Sequence, residues 1–186
     1  MNEEPLRVVV LTGRKKAGKD TMALELIKQG YTRLSFSDQL KRICSNLFPF
    51  LEVDYPQEIK DTKFIEGDGV MLSPRDIWLK MNVITEIDKN ILVDSLRDEL
   101  ESLMCKGVRK FVVTDLRKNE EYDWVKAFDY PIIKIVDGAS RDGIVEDELE
   151  NFIDTIRANV EFVNYKDPES KVRFTTVVEE VLNETE

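Results

Sequence analysis

Two glycines, a lysine and a hydroxyl fall at phosphate-binding spacing in Gly13-Arg14-Lys15-Lys16-Ala17-Gly18-Lys19-Asp20-Thr21. The pattern G-x-x-x-x-G-K is that of a P-loop, whose glycines let backbone N–H groups close around phosphate oxygens. A following helix adds unsatisfied N–H donors and the positive end of its dipole, and the lysine reaches the β- and γ-phosphates. The ligand expected for such a loop is a nucleoside triphosphate, ATP above all, contacted by Gly13, Arg14, Lys16, Ala17, Gly18, Lys19, Asp20 and Thr21. Asp20 takes the usual Ser/Thr position, and the hydroxyl follows one residue later as Thr21. A Gly- and Lys-rich surface turn can show the same letters. Here the loop directly follows the apolar run Val8-Val9-Val10-Leu11, which reads as a buried strand.

Asp115 closes a second apolar run, and a carboxylate there can hold Mg²⁺ directly or through water. The alternative is a helix N-cap for the segment after Leu116. Asp20 and Thr21 are the other candidate metal ligands, with roles that the sequence does not separate. Phosphoryl transfer spreads charge over several oxygens, and the guanidinium fork suits them. Arg75 follows a helix-starting Ser73-Pro74 pair, Arg117 lies two residues past Asp115, and Arg141 sits in the Gly-rich loop after Val136. Ser35, Ser37, Asp38 and Lys41 place hydroxyls, an acid and a base after a short strand-like run. They fit an acceptor site or a helix cap with an exposed lysine. Tyr55, Phe64 and Trp78 can stack on a base or staple the segment that carries them.

The elements that must position these groups alternate between strand and helix. Strands are expected at 7–12, 32–36, 108–114, 131–136 and 158–164, with helices at 18–29, from 37–38 to 48, and at 174–182. Gly30 is placed as a helix C-cap. Residues 49–106 form an insertion, Pro- and Asp-rich at first. From Ile84 to Lys106 apolar residues recur at steps of three to five, as in one long amphipathic helix. The expectation is one domain, with 1–48 and 107–186 as core around a mostly parallel sheet flanked by helices. Ligands then bind beyond the C-terminal ends of the strands.

Composition narrows the function. With no histidine, imidazole base chemistry is excluded, and a net charge of −10 argues against a nucleic-acid or anionic-membrane binder. Cys44 and Cys105 have no metal-ligand spacing and read as thiols of a reducing, cytoplasmic compartment. No signal pattern and no apolar run of roughly 18 residues occurs, so neither secretion nor a membrane span is expected.

Four segments together resemble one family: Gly-Lys-Asp-Thr at 18–21, Ser-Phe-Ser-Asp-Gln-Leu-Lys at 35–41, Ser-Pro-Arg-Asp-Ile at 73–77 and Thr-Asp-Leu-Arg-Lys-Asn-Glu at 114–120. Over nearly its whole length the chain is similar to deoxynucleoside monophosphate kinases of the bacteriophage type. The resemblance implies an α/β P-loop NTPase fold with a five-stranded parallel sheet and a helical acceptor-binding insertion. It implies ATP as co-substrate, Mg²⁺ as cofactor and a deoxynucleoside 5′-monophosphate as acceptor. Lys19, Arg75, Asp115 and Arg117 would be catalytic, with Asp38, Lys41, Arg75, Asp115, Arg117 and Glu121 toward the acceptor; Arg141 joins the catalytic set as a lid arginine by its position alone. Ala17 stands where the family often has serine, and Lys80-Met81-Asn82-Val83 replaces a Gly-Thr turn. The Asp-Leu-Arg segment is one residue short, so Glu120 and Glu121 both match. Rival expectations are a P-loop kinase for another phosphorylated molecule, of the phosphomevalonate or dephospho-CoA type, and a nucleotide binder without transfer. Oligomeric state stays open, a homodimer included.

Overall fold

The structure, a computed structural model, describes residues 5–139 and 148–185. The chain divides into two compact units, Met1–Ser35 with Glu99–Glu186, and Phe36–Asp98.

The first unit opens with β1 (Arg7–Thr12), α1 (Lys19–Lys28) and β2 (Thr32–Leu34). The second holds α2 (Phe36–Leu47), α3 (Gln57–Lys60), the hairpin β3 (Ile65–Gly67) and β4 (Val70–Leu72), then α4 (Pro74–Met81) and α5 (Ile84–Ile87). The boundary falls inside α6 (Ile91–Cys105). Then come β5 (Lys110–Val113), α7 (Asn119–Ala127), β6 (Ile132–Asp137), α8 (Glu148–Thr155), β7 (Val160–Asn164) and α9 (Pro168–Thr185).

Five strands form one sheet in the order β2-β5-β1-β6-β7. All four pairings are parallel, with Leu34 against Val113, Val9 against Val112, Leu11 against Ile133 and Ile135 against Phe162. Parallel sheets are buried on both faces, which is why their strands read as continuous apolar runs. One face presents Val9, Leu11, Val112, Ile133, Ile135 and Phe162 to Met22, Ala23 and Leu26 of α1 and Phe174, Val178 and Leu182 of α9. Val8, Val10, Phe111, Val113 and Ile132, at alternate positions, are equally buried. β1 lies at the centre, and the chain leaves it toward β2 on one side and later reaches β6 on the other. Such a reversal opens a crevice at the strand C-termini, where ligands of open α/β sheets bind.

α1 buries Met22, Ala23 and Leu26, while Leu24 and Ile27 face outward. Its end is made as expected: Gly30 has φ +87°, and Tyr31 N–H reaches Leu26 O at 3.1 Å. Three expectations need correction. β2 stops at Leu34 and α2 already starts at Phe36, so Ser37 and Asp38 lie in its first turn, where a carboxylate favours the helix dipole. The single long helix from Ile84 is two helices. Asp88 adopts an extended conformation and its carboxylate accepts the Asn90 N–H at 2.9 Å, a local bond that competes with helix continuation. The last helix starts at Pro168 rather than Phe174, because Asp167 caps it through the Ser170 N–H at 2.6 Å and proline suits the first turn.

The second unit has its own core of Leu40, Cys44, Leu51, Tyr55, Ile77, Trp78 and Leu92. Among the described residues no helix is long and apolar enough to cross a membrane. Cys44 is buried, Cys105 is exposed, and both are free thiols.

Candidate functional site

The loop between β1 and α1 has the shape its spacing predicts. Gly13 has φ +143°, and a Cβ there would lie 2.3 Å from the Ile135 carbonyl oxygen. Gly18 has φ +94°, and a Cβ would lie 2.3 Å from Asn164 Nδ2. Between them Lys16 takes a positive φ of 67°, and Ala17 N–H closes a turn onto Arg14 O at 3.2 Å. Asn164 Nδ2 donates to Ala17 O at 2.9 Å, tying the loop to the end of β7. The first bond of α1 runs from Met22 N–H to Gly18 O at 3.0 Å. The N–H groups of Lys19, Asp20 and Thr21 therefore have no acceptor within the helix, which is the donor set an anion needs.

Lys19 is buried, and its ammonium donates to Gly13 O at 2.5 Å and Arg14 O at 2.9 Å. Burial, with the Arg117 guanidinium second, lowers its pKa to about 8 against the opposing pull of Asp20, Glu150 and Asp115. Arg117 Nε is buried and has no hydrogen-bond partner among the described residues. Two cations close enough to perturb one another, one with a buried donor unused, make a place where an anion relieves both. Asp20 and Thr21 are exposed in the first turn of α1.

Asp115 does not cap α7. That helix starts at Asn119, and Glu121 supports its entry: Oε2 accepts the N–H of Arg117 at 2.7 Å and of Lys118 at 3.0 Å. Burial raises the Glu121 pKa to about 8, with the Asp115 charge second. Asp115 instead accepts a hydrogen bond from Ser35 Oγ at 2.9 Å. Thr12 Oγ1, at the end of β1, donates to Leu116 O at 2.9 Å and fixes the same turn. On the other side of the loop, Glu150 of α8 accepts the Lys15 N–H at 3.1–3.2 Å, and Arg14 is ion-paired with Asp154.

The structure thus brings together Gly13, Arg14, Lys16, Ala17, Gly18, Lys19, Asp20, Thr21, Asp115, Arg117 and Glu121 within the first unit. Asp38, Lys41 and Arg75 belong to the second. There Lys41 Nζ pairs with Asp38 at 2.5 Å and lies 5.5 Å from the Trp78 ring. Arg75 sits in the first turn of α4 behind a Ser73–Asp76 capping box, with Nε 2.6 Å from Asp61 Oδ1. Tyr55 packs on Trp78 with ring centres 6.1 Å apart, both in the core, whereas Phe64 is exposed. The staple reading holds for the first two. Arg141 lies outside the described residues.

Thr12, Glu150 and Asn164 were not singled out by sequence, and Ser35 only as part of a possible acceptor cluster. Thr12 and Asn164 had a usable signal: each is a polar residue ending an apolar strand at the ligand-binding edge of a parallel sheet. Glu150 had none, because its contact spans 135 residues.

The oxygen donors suit Mg²⁺ of the kind carried by a nucleotide. No group of three or more His, Cys, Asp or Glu able to hold a metal occurs among the described residues. Mg²⁺ usually takes one or two carboxylates alongside phosphate oxygens and water, and Asp115 and Asp20 both lie near enough to Lys19 to act on its charge.

No protein-family profile matches the chain, and no curated protein matches it. Solved structures do. TT1252 from Thermus thermophilus superposes with a TM-score of 0.57 at 16% identity, covering 95% of this chain and 98% of that one. Dephospho-CoA kinase from Campylobacter jejuni gives 0.53 at 12% identity, with the same coverage of 95% and 98%. A five-stranded parallel sheet flanked by helices, a glycine-shaped loop after its central strand and these structural neighbours define an α/β P-loop NTPase fold.

Proposed function

We propose that this protein is an ATP-dependent kinase that moves the γ-phosphoryl group onto the 5′-phosphate of a deoxynucleoside monophosphate, giving the diphosphate. The observation that carries the reading is the buried Lys19 ammonium, beside the first N–H groups of α1, which have no acceptor within the helix, and near Arg117 and Asp115. An oxygen of the acceptor phosphate bonds to the γ-phosphorus, the bond to the β–γ bridging oxygen breaks, and ADP leaves with that electron pair. The attacking group is already an anion, so no strong base is required, in keeping with a chain that has no histidine.

Catalysis in this reading is alignment and charge compensation. The amides of 13–21 and Lys19 hold the donor phosphates, and Arg117 meets the transferring group. Arg14 is ion-paired with Asp154, so a phosphate would compete with that carboxylate for it. Asp115, with Asp20 or Thr21, would hold Mg²⁺, which offsets phosphate charge when bound. Asp38, Lys41 and Arg75 meet the acceptor, as the family resemblance implies, and Arg141 is assigned as a lid arginine from its position in the sequence alone.

The test is a panel of the common deoxynucleoside monophosphates, dephospho-CoA and phosphomevalonate, each with ATP and Mg²⁺ and with products separated by chromatography. A deoxynucleotide is expected to be clearly preferred. Lys19→Ala is expected to lower transfer by about 100-fold or more, the cost of losing one charge-stabilising donor. Preference for another acceptor moves the protein to the rival kinase class. Tight ATP binding with no transfer to any acceptor leaves a nucleotide binder.

A further inference from the structure

We infer that Ser35 is a positioning residue, which fixes the Asp115 carboxylate for the metal-bearing phosphate; the inference rests on the phosphoryl-transfer reading above. β2 and β5 are parallel neighbours with Leu34 opposite Val113. The ladder runs one step further, from Thr114 N–H to Leu34 O at 3.1 Å. That step brings the next residues, Ser35 and Asp115, side by side at the C-terminal edge of the sheet. Ser35 is 1% exposed, and its Oγ lies 2.9 Å from Asp115 Oδ2. An ionised carboxylate only accepts, so the hydroxyl donates.

The bond matters because the terminal torsion of aspartate is broad and roughly two-fold. A carboxylate free about that torsion must be ordered when its ligand arrives, and the ordering weakens binding. One oxygen held by a buried hydroxyl leaves the group oriented beforehand. The turn beyond is held as well, by Thr12 on Leu116 O and by Glu121 on the Arg117 and Lys118 N–H groups. Ser35 is the member of this set that acts on the carboxylate itself. Partners of metal-ligating groups typically contribute 10–100-fold in metal affinity or activity.

The experiment measures Mn²⁺ affinity, by electron paramagnetic resonance, of the full chain saturated with a non-hydrolysable ATP analogue. Ser35→Ala is expected to weaken Mn²⁺ binding by about 10-fold. In an Asp115→Asn background the same change is expected to have no further effect, because a residue acting through Asp115 has nothing left to act on. Ser35→Cys, with a weakly donating thiol of similar shape, carries the same expectation should the alanine variant not fold. Unchanged Mn²⁺ affinity in a folded Ser35 variant, or an equal loss in both backgrounds, overturns the inference and leaves the kinase reading standing. Failure of the wild-type protein to bind the ATP analogue overturns both.

Discussion

Burying an ammonium group is costly unless other charges or hydrogen bonds offset the lost water. Lys19 has two carbonyl oxygens and a neighbouring guanidinium, and its pKa falls to about 8. An anion between Lys19 and Arg117 supplies what the pair lacks. Glu121 shows the opposite sign, with burial raising its pKa from 4.5 to about 8. Between those values the folded protein holds a proton that the unfolded chain has released, so stability falls as pH rises through that interval. Glu121→Gln keeps an acceptor for the Arg117 and Lys118 N–H groups and does not titrate. Urea unfolding in EDTA is expected to show wild type losing stability relative to this variant from pH 5 to 8, with a limiting slope of about 1.4 kcal/mol per pH unit. A pH-independent difference contradicts the assignment. At this scale the sequence exposed what is local: Lys19 follows from loop spacing, and Asp115 from its place at the end of an apolar run. Glu121 was legible only as a family position facing the acceptor. Its burial and its bonds to backbone N–H groups depend on tertiary packing. Ser35 and Asp115 meet across 80 residues.

At the scale of elements, the junction of β1 and α1 is the part on which the site depends. Gly13 is closed in by the backbone of Ile135, which cannot move without disturbing β6. Gly18 is closed in by the tip of Asn164, itself bonded to Ala17 O. Alanine at either position also takes a strained positive φ. Gly13→Ala is expected to lower stability by about 1–3 kcal/mol and to abolish nucleotide binding. Gly18→Ala should cost less stability, because a side-chain amide can shift where a carbonyl cannot. Denaturant titration and nucleotide titration of the two variants check the order; equal, negligible effects would show that the loop tolerates a Cβ. Strand positions were readable because apolar runs mark strands buried on both faces. Element ends were not. Phe36, apolar and continuous with β2, begins a helix instead. The break after α5 comes at Asp88, whose carboxylate accepts the Asn90 N–H, a contact invisible in a pattern of apolar spacing.

For the whole molecule, alternation of strand and helix was enough for a parallel α/β sheet, while strand order was not readable, because it depends on where each crossover returns. The order β2-β5-β1-β6-β7 puts the loop-bearing strand in the middle of the sheet. Acceptor choice is the least legible property. Asp38, Lys41 and Arg75 carry no spacing motif comparable to the P-loop, and in the second unit each is paired or capped locally. Phosphoryl transfer by this protein requires that the loop at 13–21 bind a triphosphate. Amide hydrogen exchange with a non-hydrolysable ATP analogue and Mg²⁺ tests this most directly. With ligand at 100 times its Kd, exchange of the Lys19, Asp20 and Thr21 N–H groups is expected to slow by about 100-fold, equivalent to about 2.7 kcal/mol. Exchange across 13–21 that stays the same at millimolar analogue would contradict it.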